Sequence, residues 1–269
     1  MKALTIKQPW AELILRGEKI IELRKWKTNF RGEFLIHSSK EPDADSMKKF
    51  EFNKLPCGYI LGKVNLTDIK KYENEEDLMK DSSLHLADAG WGDYGFILSK
   101  PKRVAKVPYS GQLSFWNFKG KLFEAKPAKS EEEISKITSY LASLNLDYPN
   151  YLLWVKKCKK ELISGYKQSF YVTDKKIIGV IIFQPHKEQE NVLEIKHFSI
   201  EKNYWDKGIG SLLLDLLEDY FRKTSFKNIR VDTHEENTNL INFFKRKGFK
   251  TIKKEYLYNP LQKEIILQK

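Results

Sequence analysis

The sequence predicts a two-domain protein: a strand-rich α+β domain followed by a domain in which helices and strands alternate. Three observations predict it. Residues 1–118 hold many short β-like runs punctuated by Gly, Pro, Asn and Asp. A polar stretch without a clear hydrophobic period, residues 119–129, interrupts this pattern. Beyond it helical periods return, and Gly208-Ile209-Gly210 leads from a strand into a strongly amphipathic helix. A length of 269 residues suits two modules of ordinary size.

Leu4-Thr5-Ile6 opens as a short strand. Pro9 suits a first helical turn, Trp10, Leu13 and Ile14 repeat at three and four residues, and Gly17 is placed to stop the helix. Short strands are predicted at Ile20–Leu23, Gly32–Ile36, Tyr59–Leu66, Gly95–Leu98 and Ser114–Asn117. Together they predict a compact, barrel-like α+β domain over 1–118, with 119–129 as linker. The second domain, 130–269, opens on a capping box, Ser130 with Glu133. A second helix follows at Tyr151–Leu162, then a hairpin from Phe170–Thr173 to Ile177–Phe183 around Asp174-Lys175-Lys176, then a strand at Leu193–Ile200. The helix after Gly210 buries Ile209, Leu212, Leu213, Leu216, Leu217 and Tyr220 and runs through about Phe221. Ile229–Thr233 is a strand, and Asn237–Lys247 a helix stopped by Gly248. Two strands around Asn259-Pro260 close the chain.

Composition removes several classes. No apolar run is long enough to span a bilayer, no apolar leader opens the chain, and membrane and secreted readings fall away. Cys57 and Cys158 form neither a CxxC nor a disulfide framework, so a reducing cytoplasm is expected. The five histidines show no metal-ligand spacing, and no metal is expected. The net charge of +12 suggests a phosphate-rich partner or a lysine-rich background. It is spread almost evenly, +5 over 1–125 and +7 over 126–269.

Glycines at a helix start free backbone amides, and the helix terminus adds unsatisfied donors and partial positive charge. Gly208-Ile209-Gly210 is therefore either a tight turn or an anion site suited to a pyrophosphate. It is neither a GxGxxG nor a P-loop. With Asn237, Gly248-Phe249 and His197-Phe198-Ser199-Ile200, it resembles the GNAT N-acetyltransferase family over residues 130–269. Trp205 stands where that family's motif has Arg or Gln. The resemblance implies an acyl-CoA N-acyltransferase fold with a mixed central sheet, acetyl-CoA as cofactor, and direct transfer of acetyl to an amine. It implies pantetheine along Phe198, Ser199 and Ile200, and pyrophosphate on Trp205, Asp206, Lys207, Gly208, Ile209, Gly210 and Ser211. Asn237 would contact pantetheine, and Phe244 holds the position of the family's proton-donating Tyr. Glu194 and His197 are the candidate bases. Three residues apart on one strand, they are expected on opposite faces. Tyr256 and Tyr258 are candidates for the missing acid by type alone. The amine acceptor would be met by loops at 144–151 and 234–237.

In the first domain Lys19, Glu22 and Arg24 cluster after the helix, with Trp10, Trp26 and Trp116 as possible stacking surfaces. A carboxylate between cations preorganises an Arg for phosphate, or makes a salt-bridged rim over core tryptophans. Gly17, Lys19, Glu22 and Arg24 complete the GxKxxExR pattern, which resembles the ASCH family, a PUA-like β-barrel, over 1–118. That resemblance implies RNA or nucleotide binding. Some relatives hydrolyse acetylated cytidine with a Lys, a Thr and a Glu, but here Glu22 takes the place of that Thr. Asp68 is an additional candidate acid. Three functions follow as expectations: an acetyl-CoA-dependent N-acetyltransferase with an RNA- or nucleotide-binding module, a non-catalytic binder of CoA and RNA, or an amidohydrolase of acylated nucleosides.

Overall fold

A computed structural model of the chain describes residues 1–88, 92–146, 149–259 and 262–269. Contacts divide it into two compact units, Met1–Glu124 and Ala125–Lys269.

The first unit contains β1 (Lys2–Ile6), α1 (Trp10–Arg16), β2 (Ile21–Arg24), β3 (Gly32–Ser38), α2 (Ala44–Lys49), β4 (Tyr59–Lys71), α3 (Glu75–Lys80), α4 (Ser82–His85), β5 (Tyr94–Pro108) and β6 (Phe115–Asn117). The strands form one mixed sheet in the order β2-β5-β4-β3-β1-β6, in which only β1 and β3 pair in parallel. The expected barrel-like domain is a sheet that rolls on itself, and among the described residues no ladder joins β2 to β6. Side chains bring the ends together instead. An Arg24 guanidinium nitrogen donates to the Thr5 carbonyl at 3.0 Å, and Phe115 meets Trp26 and Phe96 with ring centroids 5.9 and 6.4 Å apart. The roll has a local cause, since the β4–β5 ladder shifts register three times and bulges bend and twist a strand pair. Helix α1 buries Trp10, Ala11, Leu13 and Ile14, and Gly17 ends it at φ 77° with its amide on the Ile14 and Leu13 carbonyls. Gly62 permits the approach, because a Cβ there would lie 2.3 Å from Leu15 and 2.5 Å from the Lys102 carbonyl oxygen.

The second unit contains β7 (Ala125–Pro127), α5 (Glu131–Leu144), α6 (Tyr151–Ile163), β8 (Gln168–Asp174), β9 (Lys176–Pro185), β10 (Val192–Ile200), α7 (Ile209–Phe221), β11 (Asn228–His234), α8 (Thr238–Arg246), β12 (Lys250–Asn259) and β13 (Gln262–Gln268). Its seven strands run β12-β13-β11-β10-β9-β8-β7. Both halves of the Ser130–Glu133 capping box are present. Ile134, Ile137 and Leu141 of α5 and Val155 and Cys158 of α6 pack with Tyr171, Val180 and Ile182 of the sheet. Helix α7 lies close to β9, where a Cβ on Gly179 would come within 3.0 Å of Ile209 and 3.4 Å of Leu213.

The stretch 119–129, expected as linker, is ordered and divided. Phe123 is buried and its carbonyl accepts from the Ala105 amide, while Ala125–Pro127 adds an edge strand to β8. No helix among the described residues is long and apolar enough to cross a membrane.

Candidate functional site

The second sheet forks. Parallel strands β10 and β11 pair only from Val192–Asn228 to Ile195–Val231. Lys196 is then an extra residue in β10, because Ile195 faces Phe183 while His197 faces the adjacent Ile182. From His197 to Ile200, β10 stays paired to β9, and β11 continues through Asp232, Thr233 and His234 on β13. The β10 backbone facing β11 is thus left without a ladder beyond Ile195 among the described residues. Open amides and carbonyls of this kind need partners.

The start of α7 borders the fork. Gly208 is its N-cap at φ 76°, and no side chain caps the helix. Left-handed backbone favours Gly there, and the free amides of the first turn make an anion cradle. The first turn sits against β10: a Cβ on Gly210 would lie 3.3 Å from both Phe198 and Ile200 and 3.5 Å from Phe243. Trp205 is half-exposed, and its indole N–H donates to the Ile200 carbonyl at 2.9 Å, closing the end of β10. Lys207 lies over the Tyr204 ring at 4.8 Å. Across the fork, the exposed Asn237 precedes α8 and its Nδ2 donates to Thr233 Oγ1 at 3.4 Å.

In the first unit the Lys19 ammonium is buried, donates to the His85 carbonyl at 2.6 Å, and lies 3.5 Å from Glu22 and 5.0 Å from the Trp10 ring centre. Burial lowers its pKa, Glu22 opposes the shift, and Arg24 adds to it. Arg24 pairs with Glu22 at 3.1 Å, and its buried Nε has no partner.

Comparison with known proteins gives both units a family. A model described as "ASCH domain" matches residues 4–143, more than half of the chain. The chain belongs to the ASCH domain family. A model described as "Acetyltransferase (GNAT) family" matches residues 137–249, so a GNAT acetyltransferase domain follows the ASCH domain. The matches overlap within α5, whose buried face packs into the second unit. Human "Activating signal cointegrator 1" is 29% identical over 136 residues, covering 45% of this chain and 23% of that protein. "Probable N-acetyltransferase camello" from Xenopus laevis is 22% identical over 131 residues, covering 44% of this chain and 60% of that protein. The chain therefore spans less than two thirds of either relative. A GNAT-family acetyltransferase structure from Desulfovibrio desulfuricans is 14% identical, with a TM-score of 0.49, covering 55% of this chain and 98% of that one.

Acetyl-CoA is the cofactor of a GNAT domain, and the residues present fit it. The uncapped turn at Gly208 offers amides for a pyrophosphate, and the open edge of β10 offers ladder partners for pantetheine amides. The structure brings together Phe198, Ser199, Ile200, Trp205, Asp206, Lys207, Gly208, Ile209, Gly210 and Ser211 along β10 and the turn into α7.

Phe244 packs against Phe198 of this group but is itself enclosed. It is fully buried among Phe198, Phe243 and Phe249, with centroids 5.4, 5.4 and 5.0 Å away. Its partly exposed neighbour Phe243 is the ring beside Phe198 and Gly210. The candidate bases also need correction. Cross-strand partners share a face, and Glu194 pairs with Gln184 while His197 pairs with Ile182, two residues earlier on β9. Glu194 and His197 therefore share one face, because the bulge at Lys196 cancels the alternation.

Neither is an open base. Glu194 is buried and accepts from Gln184 and Lys196, each at 3.2 Å. His197 is 2.7 Å from Ser199 Oγ and beside Trp154 on α6, and burial pulls its pKa down to about 4. Tyr258 reaches this face: its hydroxyl donates to Asp232 at 2.9 Å and lies 3.3 Å from Lys196. Asp232 and Lys196 were not marked by the sequence, because their proximity depends on a bulge and a fork.

In the ASCH domain Trp10 and Trp26 are held by the fold. Trp10 donates to Asp43 and carries Lys19 over one face, and Trp26 packs edge-on to Phe96 and Phe115. Asp68 is an exposed partner of Arg31. Residues 147–148 of one expected acceptor loop and Pro260 of the expected last turn lie outside the described residues. Among the described residues no group of three His, Cys, Asp or Glu side chains could hold a metal ion.

Proposed function

We propose that this chain acts in the cytoplasm as an acetyl-CoA-dependent N-acetyltransferase whose ASCH domain, read as a PUA-like barrel, binds RNA or a nucleotide. The forked sheet beside an uncapped helix start carries the reading. Bound acetyl-CoA supplies an acetyl group activated as a thioester. Amides of residues 205–211 hold its pyrophosphate, and the helix-terminal charge favours that anion. The open edge of Phe198–Ile200 orients the pantetheine by ladder hydrogen bonds, with Asn237 on the opposite side. This positioning, with polarisation of the developing oxyanion by backbone donors, provides most of the acceleration. Phe244 has no proton to give, so sulfur leaves without an acid at that position.

The test follows free thiol with a panel of amines. Release above the hydrolysis background supports transfer; release at background from a chain that binds acetyl-CoA leaves a non-catalytic binder. A second reading, deacylation of a modified nucleoside in the ASCH domain, is favoured by one observation: the buried Lys19 amine has a lowered pKa. Under it, Lys19→Ala abolishes deacylation and leaves acetyl-CoA binding intact.

A further inference from the structure

Direct transfer needs a neutral amine, and amines are protonated at neutral pH. A group at the fork that takes this proton would speed transfer. Glu194 is occupied by Gln184 and Lys196, and His197 is held between Ser199 Oγ and the Trp154 ring.

Asp232 is placed differently. It is the first β11 residue beyond the last β10 partner, Val231, and so stands where the two strands part. Arg230 pairs with Glu194, and Asp232, two residues on, returns to the face that Glu194 and His197 share. Asp232 is only partly exposed. Its Oδ2 is fixed by the Tyr258 hydroxyl at 2.9 Å, and that hydroxyl is 3.3 Å from Lys196, the bulge residue. We propose that Asp232 is the proton acceptor for the acceptor amine, with Tyr258 and Lys196 as positioning residues. The proposal rests on the acetyl-transfer reading.

A carboxylate oxygen of Asp232 takes one proton from R–NH3⁺, leaving R–NH2 and a neutral carboxyl. The amine lone pair forms the N–C bond as the C–S bond breaks, the surplus N–H proton passes to the departing sulfur, and the carboxyl proton returns to water. The charged and titratable surroundings suit this task. Lys196 and Glu194 face Asp232 from β10, Tyr258 from β12, Glu264 from β13, and His234 lies along its own strand. Burial raises the Asp232 pKa above the ordinary carboxylate range, Lys196 and the Tyr258 hydrogen bond oppose the rise, and Glu194 adds to it. Glu264 is raised too, by burial and then by the Asp232 charge. A carboxylate with a raised pKa at a cleft is a better base than an exposed one. The same cluster of carboxylates favours a cationic acceptor over an anionic one.

The experiment measures kcat/KM against pH with spermidine and a free-amino-terminal peptide, for the wild type, Asp232→Asn and Asp232→Glu. Acetyl-CoA affinity and thermal unfolding are read on each. Asp232→Asn should lower kcat/KM by about 100-fold or more and remove the limb on which activity rises as the carboxyl ionises. Its acetyl-CoA affinity should stay at the wild-type value, and Asp232→Glu should recover part of the rate with a displaced limb. A purely structural role would lower activity without removing that limb. A folded Asp232→Asn variant with wild-type rate and pH profile overturns the proposal and leaves acetyl transfer standing. A wild type that transfers to neither amine nor to a wider panel overturns the transfer reading, and the proton role falls with it.

Discussion

Glu12 and Lys196 show how much single residues decide here. Glu12, nearly buried in α1, accepts two hydrogen bonds from Arg103 at 2.9 and 2.7 Å and one from Arg16 at 2.9 Å. Burial alone would raise its pKa; the two guanidinium groups outweigh burial and hold it below 4.5. Because the folded pKa is the lower one, this stabilisation is fully present above the unfolded value. It is lost as pH falls through the folded value. Glu12→Ala should therefore destabilise the ASCH domain by about 3–5 kcal/mol at neutral pH, and the difference should shrink in acid, read by denaturant unfolding across that range. A pH-independent difference would show that packing, and not charge, is what was lost. Lys196 acts through geometry: one inserted residue puts Glu194 and His197 on the same face. Alternation counted along one strand places them apart, since a bulge is a property of two strands.

At the scale of elements, legibility followed locality. The helix after Gly210 was expected through about Phe221 and ends there, and the Ser130–Glu133 box is formed as its residues require. Periodicity and caps are short-range signals. Strands β4 and β5 run on to Lys71 and Pro108, well beyond the expected Leu66 and Leu98. Pro101 hid the second, because proline normally ends a strand; here it follows Lys100 at φ 53°, within a register shift. The short helices α2 and α3 were missed although Asp43 and Asn74 cap them, since each is too brief to show a period. Two glycines carry element contacts that sequence alone leaves silent. Gly62→Ala should cost the ASCH domain about 1–3 kcal/mol in chemical denaturation, because a backbone carbonyl lies 2.5 Å from the new Cβ. Gly179→Val should push α7 from β9 and weaken acetyl-CoA binding together with thermal stability. Unchanged cofactor affinity in that variant would separate the α7 position from the anion cradle.

At the scale of the whole molecule, the charge of +12 has two uses under the proposed function: a phosphate-bearing ligand at the ASCH domain and a cofactor rich in phosphate at the GNAT domain. Arg24 is the partly exposed cation of the GxKxxExR cluster, since Lys19 is enclosed. For single-stranded RNA, Arg24→Gln should weaken binding and reduce the salt slope by about 0.7, one phosphate contact; an unaltered slope would place the RNA elsewhere. The acetyl-CoA site proposed at the fork and the Gly208 turn is checked by calorimetric titration of acetyl-CoA into the wild type and Gly208→Asp. Asp tolerates left-handed backbone better than most residues and places a negative charge at the amides. The wild type should bind one acetyl-CoA per chain, and a folded Gly208→Asp variant should bind at least ~10-fold more weakly, about 1.4 kcal/mol. Equal affinity in the two, or no binding by the wild type, would contradict a cofactor site at this turn.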